Sequence, residues 1–161
     1  MPTHHRGTAE EVQALDAFVK LARSANSLMG RLLPPLQREF GLTESQLGVL
    51  ETLYHLGPLG QGQLCQKILR SGSNVTTVVD NLERDGLVRR ERDPRDRRVQ
   101  VVNLTERGRT VIMEAFPVHA ERINALMGAL TREEQRSSAG SAESWERLPP
   151  GSEMATPVCA W

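Results

Sequence analysis

Between Glu10 and Leu33, apolar residues recur at spacings of three and four (Leu15, Phe18, Val19, Ala22, Ala25, Leu28, Met29, Leu32), which predicts an amphipathic helix interrupted at Pro34-Pro35. After Gly41, Thr43-Glu44-Ser45-Gln46 has the form of a capping box, so a helix carrying Leu47, Leu50, Leu53 and Tyr54 is expected to run to Gly57-Pro58. A short helix around Gln61 to Leu69 follows, with Leu64 and Ile68 four apart on its inner side. Ser71-Gly72-Ser73 then supplies a turn and an N-cap, and Val75, Val78, Val79 and Leu82 fall at i, i+3, i+4 and i+7. The opposite face of this helix holds Ser73, Asn74, Thr76, Thr77, Asn81 and Arg84, and Gly86 stands where a C′ glycine closes a helix.

The period then changes. Leu87 to Arg92 and Arg98 to Leu104 read as two strands, joined by the turn Asp93-Pro94-Arg95-Asp96-Arg97, and so form a β-hairpin with a basic tip. Thr105 caps a long helix with an apolar surface from Val111 through Phe116 and His119 to Met127, and Pro117 is expected to kink it. A second capping box, Thr131-Arg132-Glu133-Glu134, opens a helix whose apolar period is not sustained past Gln135. From Arg136 onward Ser, Gly, Ala and Pro dominate, which predicts an irregular tail over 136–161. That tail reads either as a disordered natural segment or as a frameshift. Trp has a single codon, so Glu143 to Arg147 can be written with a neighbouring frame giving Lys-Leu-Gly-Lys-Ala, a plausible helix ending.

With 161 residues, 39% apolar and 25% charged, the chain fits one globular domain with an appendage. Neither a membrane-length apolar run nor a signal-peptide pattern occurs, so a cytoplasmic protein without membrane contact is expected. Lys plus Arg and Asp plus Glu each number 20, and this neutral total hides an asymmetry. Between Arg84 and Arg109 nine arginines face five acids, a local net of +4. A charge run alone is often only a solvated face, but here it coincides with a hairpin beside a polar helix.

Candidate chemistry is sparse. Cys65 and Cys159 are too far apart for a CxxC zinc site, and Cys65, beside Leu64, reads first as a small buried hydrophobe. His55 and His119 lack carboxylate or thiol companions for a metal, so no metal and no cofactor are expected. No Gly-x-Ser-x-Gly, phosphate-cradling glycine loop or HExxH is present, which argues against an enzyme.

Three helices, the third with a short-chain polar face, followed by an arginine hairpin, predict a mainly α fold with a small β-hairpin: a winged helix-turn-helix. Such a helix fits a major groove, and a basic hairpin tip reaches a minor groove. A winged-helix protein-interaction module without DNA binding is the alternative, and the +4 wing speaks against it. The chain resembles the MarR-type multiple-antibiotic-resistance regulators over about residues 10–135. The resemblance is carried by Ser71 to Ser73, by Val79-Asp80-Asn81-Leu82-Glu83-Arg84-Asp85-Gly86-Leu87-Val88-Arg89-Arg90, by Asp93 to Arg98 and by Leu104-Thr105-Glu106-Arg107-Gly108. Gly48 to His55 and Phe116 to His119 resemble more narrowly the branch that responds to hydroquinones and quinones.

The resemblance implies a homodimeric transcription factor, usually a repressor, that binds a pseudo-palindromic DNA operator and is released by a small phenolic ligand. It implies an N-terminal dimerisation helix over 1–40, a DNA-binding region over 41–104 and a C-terminal dimerisation helix over 105–135. DNA contacts would come from Ser71, Ser73, Asn74, Thr76, Thr77 and Arg84, with Arg95 in the minor groove braced by Asp96 and Arg97. Tyr54, His55, Phe116 and His119 would meet the ligand, and thiol-based redox sensing through Cys65 is the competing mode of regulation.

Overall fold

The structure is a computed structural model that describes residues 5–68, 72–92 and 100–147, without the side chains of 72–74, 145 and 146. Among these residues the chain forms α1 (Ala9–Phe40), α2 (Glu44–Leu56), β1 (Leu59–Gly60), α3 (Gln61–Lys67), α4 (Gly72–Arg84), β2 (Val88–Arg92), β3 (Gln100–Leu104), α5 (Glu106–Met127) and α6 (Arg132–Glu146). Residues 1–123 make one compact unit and 124–161 a second.

Helix starts follow local chemistry. Thr8 and Glu11 cap α1 reciprocally, and the expected box at α2 forms, with the Thr43 amide donating to Gln46 Oε1 at 2.9 Å and the Gln46 amide to Thr43 Oγ1 at 3.3 Å. At the far end of α4, Gly86 adopts φ 70°, and the Leu87 amide reaches back to the Leu82 carbonyl at 2.8 Å. This Schellman-type ending turns the chain directly into β2.

The three strands form an antiparallel sheet in the order β1-β3-β2. The hairpin pairs Val88 with Leu104 and Arg92 with Gln100, and its tip, 93–99, lies outside the described residues. β1, too short to show alternation, adds a third strand that the sequence pattern does not reveal: Leu59 pairs with Val102 and Gly60 with Val101. The core gathers Leu42, Leu47, Leu50 and Leu53 with Leu64, the α4 stripe Val75, Val78, Val79 and Leu82, the strand residues Val88 and Val102, and Ile112 and Ala115 of α5. The expected inner face of α4 is therefore the buried one.

Two expectations are corrected. α1 is not interrupted at Pro34-Pro35 but continues to Phe40. The prolines remove two amide donors, while Leu32 and Leu36 on the same stretch are buried, so apolar burial offsets the lost bonds. The irregular tail expected from residue 136 is helical through Glu146. Its capping box forms, with the Thr131 amide and hydroxyl donating to Glu134 Oε2 at 2.7 and 2.9 Å, and Ser141 and Ser144 hydroxyls return to carbonyls one turn back. Hydrogen bonds from the Thr131 backbone and then its side chain hold the Glu134 carboxyl below its ordinary pKa. Local capping thus sustains a helix that has no apolar period, and residues 148–161 lie outside the described ones.

α4, β2 and α5 meet at a tight joint. A Cβ on Gly108 would lie 1.9 Å from the Leu87 carbonyl oxygen, whereas one on Gly48 of α2 would meet nothing within 4 Å. Gly108→Ala is expected to destabilise the fold by about 1–3 kcal/mol through overpacking. Gly48→Ala should stabilise it by about 0.5–1 kcal/mol by reducing unfolded-state entropy. Denaturant unfolding of both variants checks the opposite signs, and equal midpoints would remove the joint from this account.

Candidate nucleic-acid interface

α4 is divided lengthwise. Val75, Val78, Val79 and Leu82 are buried, while Thr76, Thr77, Asp80 and Arg84 are exposed. Burial of one stripe fixes the helix rotation, so hydroxyls and a guanidinium face solvent together. Gln61, the first residue of α3, donates from Nε2 to Thr76 Oγ1 at 2.9 Å and so adds an amide beside this face. Ser73 and Asn74 fall in the first turn of α4; Ser71 and the expected wing contacts Arg95, Asp96 and Arg97 lie outside the described residues.

The arginines of this region have different partners, which a charge count does not reveal. Arg84 lies 3.5 Å from Asp85 and Arg89 lies 3.0 Å from Glu91, both as exposed pairs that solvent screens. Arg107 donates to the Asp85 carbonyl at 3.0 Å. Arg90 turns inward: its Nη1 donates to Glu83 Oε2 at 2.6 Å, its Nη2 to Asp80 Oδ1, and its amide to Glu83 Oε1 at 2.8 Å. Burial would lower the Arg90 pKa, but hydrogen bonds and charge from Asp80 and Glu83 outweigh it and the net shift is upward. Sequence reasoning missed both Gln61 and Arg90. A usable signal for Arg90 was its place two residues after the buried Val88, on the same side of the strand.

A second cluster joins α2 to α5. The His55 ring stands edge-on to Tyr54 at 5.2 Å and to Phe116 at 5.5 Å, and the Arg109 guanidinium lies 5.9 Å from the Tyr54 ring centroid. His119 stands one turn beyond Phe116, and its Nδ1 is buried without a hydrogen-bond partner among the described residues. Burial first, and then Arg122, depress its pKa, with Glu51 and Glu44 opposing. Arg122 itself is held by Glu39 of α1 at 2.7 Å. Cys65 is half-buried against the core. Among the described residues no group of three or more His, Cys, Asp or Glu could hold a metal ion.

A family model described as the MarR family matches residues 42–99. The HTH-type transcriptional regulator MhqR of Bacillus subtilis (strain 168) is 34% identical over 122 residues, covering 76% of this chain and 83% of MhqR. The chain belongs to the MarR family. YkoM, an uncharacterized HTH-type transcriptional regulator of the same organism, is 35% identical over 127 residues, which is 78% of this MarR-family chain and 82% of YkoM. The crystal structure of Sco3205, a MarR family transcriptional regulator from Streptomyces coelicolor in complex with DNA, matches with a TM-score of 0.79 at 28% identity, over 92% of this chain and 94% of that one. This MarR-family protein is accordingly a DNA-binding transcriptional regulator built on a winged helix-turn-helix. No helix among the described residues is long and apolar enough to cross a membrane.

The depressed His119 pKa carries a sign. A histidine favoured in its neutral form contributes stability above its unfolded value of about 6.5, and that contribution is lost as pH falls through the lower folded value. The unfolding midpoint is expected to drop as pH falls below about 6.5, and His119→Gln should flatten that drop. An identical profile in the variant would assign the acid sensitivity to another group.

Proposed function

We propose that this MarR-family regulator is a cytoplasmic repressor that binds a pseudo-palindromic operator as a homodimer and leaves it when a small phenolic or quinone ligand binds. The observation that carries the DNA half is the lengthwise division of α4, whose polar face is presented by a buried valine stripe. Ser71, Ser73, Asn74, Thr76 and Thr77 are assigned to bases and phosphates of the major groove and Arg84 to a phosphate. Arg95 is assigned to the minor groove, with Asp96 and Arg97 bracing it. A dimer suits the large apolar side chains left exposed on α1, where Phe18 is 67% accessible and Leu15, Leu21 and Met29 accompany it, and on α5 at Met113 and Ile123. In a dimer the two recognition helices would serve half-sites about 10 bp apart, centre to centre.

Footprinting on the protein's own promoter checks this, and no protection at low salt would overturn it. Arg95→Ala should weaken operator binding and lower the slope of log affinity against log salt by about one, because one fewer cation displaces a counterion. Unchanged affinity and slope would remove the wing assignment.

The ligand half rests on the cluster of Tyr54, His55, Phe116 and His119. Aromatic edges supply walls for a flat ring, and His119 Nδ1, without a partner among the described residues and favoured in the neutral form, can accept a hydrogen bond from a phenolic hydroxyl. Release requires tighter ligand binding to the arrangement that does not fit DNA, and about 1–3 kcal/mol of coupling would weaken operator binding about 5- to 150-fold. A catechol, hydroquinone or salicylate titrated against labelled operator should dissociate the complex. Cys65→Ser should keep the response, since Cys65 packs against the core. Loss of the quinone response in that variant would establish thiol chemistry instead.

A further inference from the structure

Isolated surface ion pairs contribute little, but the Arg90 contacts are not of that kind. The Arg90 side chain is 17% exposed, against 62% for its neighbour Arg89, and shares the inner side of β2 with buried Val88. It forks between two carboxylates one turn apart on α4, while its own main-chain N–H binds one of them. Charge-assisted bonds that use both arms of a planar guanidinium fix direction as well as distance. All of them run between the recognition helix and the first strand of the wing. A separate hydrogen bond, Gln61 to Thr76, connects α3 with α4 and does not involve the wing strand, so it cannot substitute for the Arg90 contacts.

We infer that Arg90 is a positioning residue for DNA recognition: by gripping Asp80 and Glu83 it sets the angle between the wing and the recognition helix. Two DNA grooves are engaged by one rigid body only if helix and hairpin keep their mutual angle. The contact touches no DNA itself. It also leaves Arg90 out of the cations available to phosphates, although the sequence places it in the basic run. The inference rests on the family's DNA binding and not on the identity of any effector.

The test has a readout without DNA and one with it. In a Cys65→Ser, Cys159→Ser background, spin labels at Thr77→Cys and Arg92→Cys report the distance between α4 and the wing strand. Arg90→Met should broaden that distance distribution while thermal unfolding stays cooperative, and Arg90→Lys, which keeps the charge but loses the fork, should broaden it partly. In otherwise unlabelled protein, Arg90→Met should weaken binding to an operator that the native protein protects by about tenfold. Its minor-groove hydroxyl-radical protection should fade while major-groove protection persists. An unchanged distance distribution overturns the inference, and so does unchanged operator affinity. Full restoration of affinity by adding Asp80→Asn and Glu83→Gln to Arg90→Met would also overturn it, because uncovered charge and not lost geometry would then be the cause.

Discussion

The C-terminal end of α4 is anchored through the backbone carbonyls of the turn that follows it. The Thr105 hydroxyl donates to the Gly86 carbonyl at 2.7 Å and approaches the Leu87 carbonyl at 3.2 Å, and Arg107 donates to the Asp85 carbonyl. The same hydroxyl accepts from the Gly108 amide at 3.0 Å, so one side chain both caps α5 and ties it to the end of α4. Gly108 lets the two backbones touch where any Cβ would collide with Leu87. Carbonyls in the turn after α4 and an otherwise unpaired amide at the start of α5 are thus satisfied through one hydroxyl, that of Thr105. The direction of α4, and with it the exposure of its polar face, follows from this joint and from the valine stripe beneath it.

Charge is arranged on that frame by subtraction. A net of zero would suggest indifference to a polyanion, but the distribution along the chain places the positive excess in the wing region. Within the region, Arg90 is neutralised internally by Asp80 and Glu83, and Arg107 serves a carbonyl, whereas Arg84 and Arg89 keep exposed guanidiniums with only screened partners. α4 can carry two acids close to its polar face because Arg90 of the wing strand pairs with both of them. Acidic residues on a DNA-reading helix are in this way part of the architecture and not an argument against its role.

How much of this could be read from the sequence depended on whether a feature was local. The Thr43–Gln46 box, the Gly86 ending and the Val75–Leu82 stripe are written in contiguous residues, and each formed as expected. β1 has two residues and acquires its identity only by pairing with Val101 and Val102 some forty positions away. The passage of α1 through Pro34-Pro35 depends on tertiary burial of Leu32 and Leu36, which overrides a strong local signal. α6 failed in the opposite way, because composition suggested an irregular tail while capping and i−4 hydroxyl bonds sustained a helix. At the candidate site, the polar face of α4 was legible from periodicity, but the partners of Arg90 and Gln61 lie on other elements and no spacing rule names them.

α5 links the end of α4 physically to the cluster of His55, Phe116 and His119. Gly108, at its start, contacts the end of α4, and Phe116 and His119 stand eight and eleven residues further along the same helix, about 12 and 17 Å at 1.5 Å per residue. The Gly108 joint is close-packed and hydrogen-bonded, so a tilt of α5 cannot be absorbed there by a side chain yielding. It has to be passed to α4 or resisted by the core. A ligand beside His55, Phe116 and His119 would therefore act as a lever, but only to the extent that it binds one orientation of α5 better than the other. A ligand that filled the cluster equally well in both would bind without releasing DNA. Affinity alone thus says nothing about induction, and the quantity that decides the proposed regulation is the difference in ligand affinity between DNA-bound and free protein.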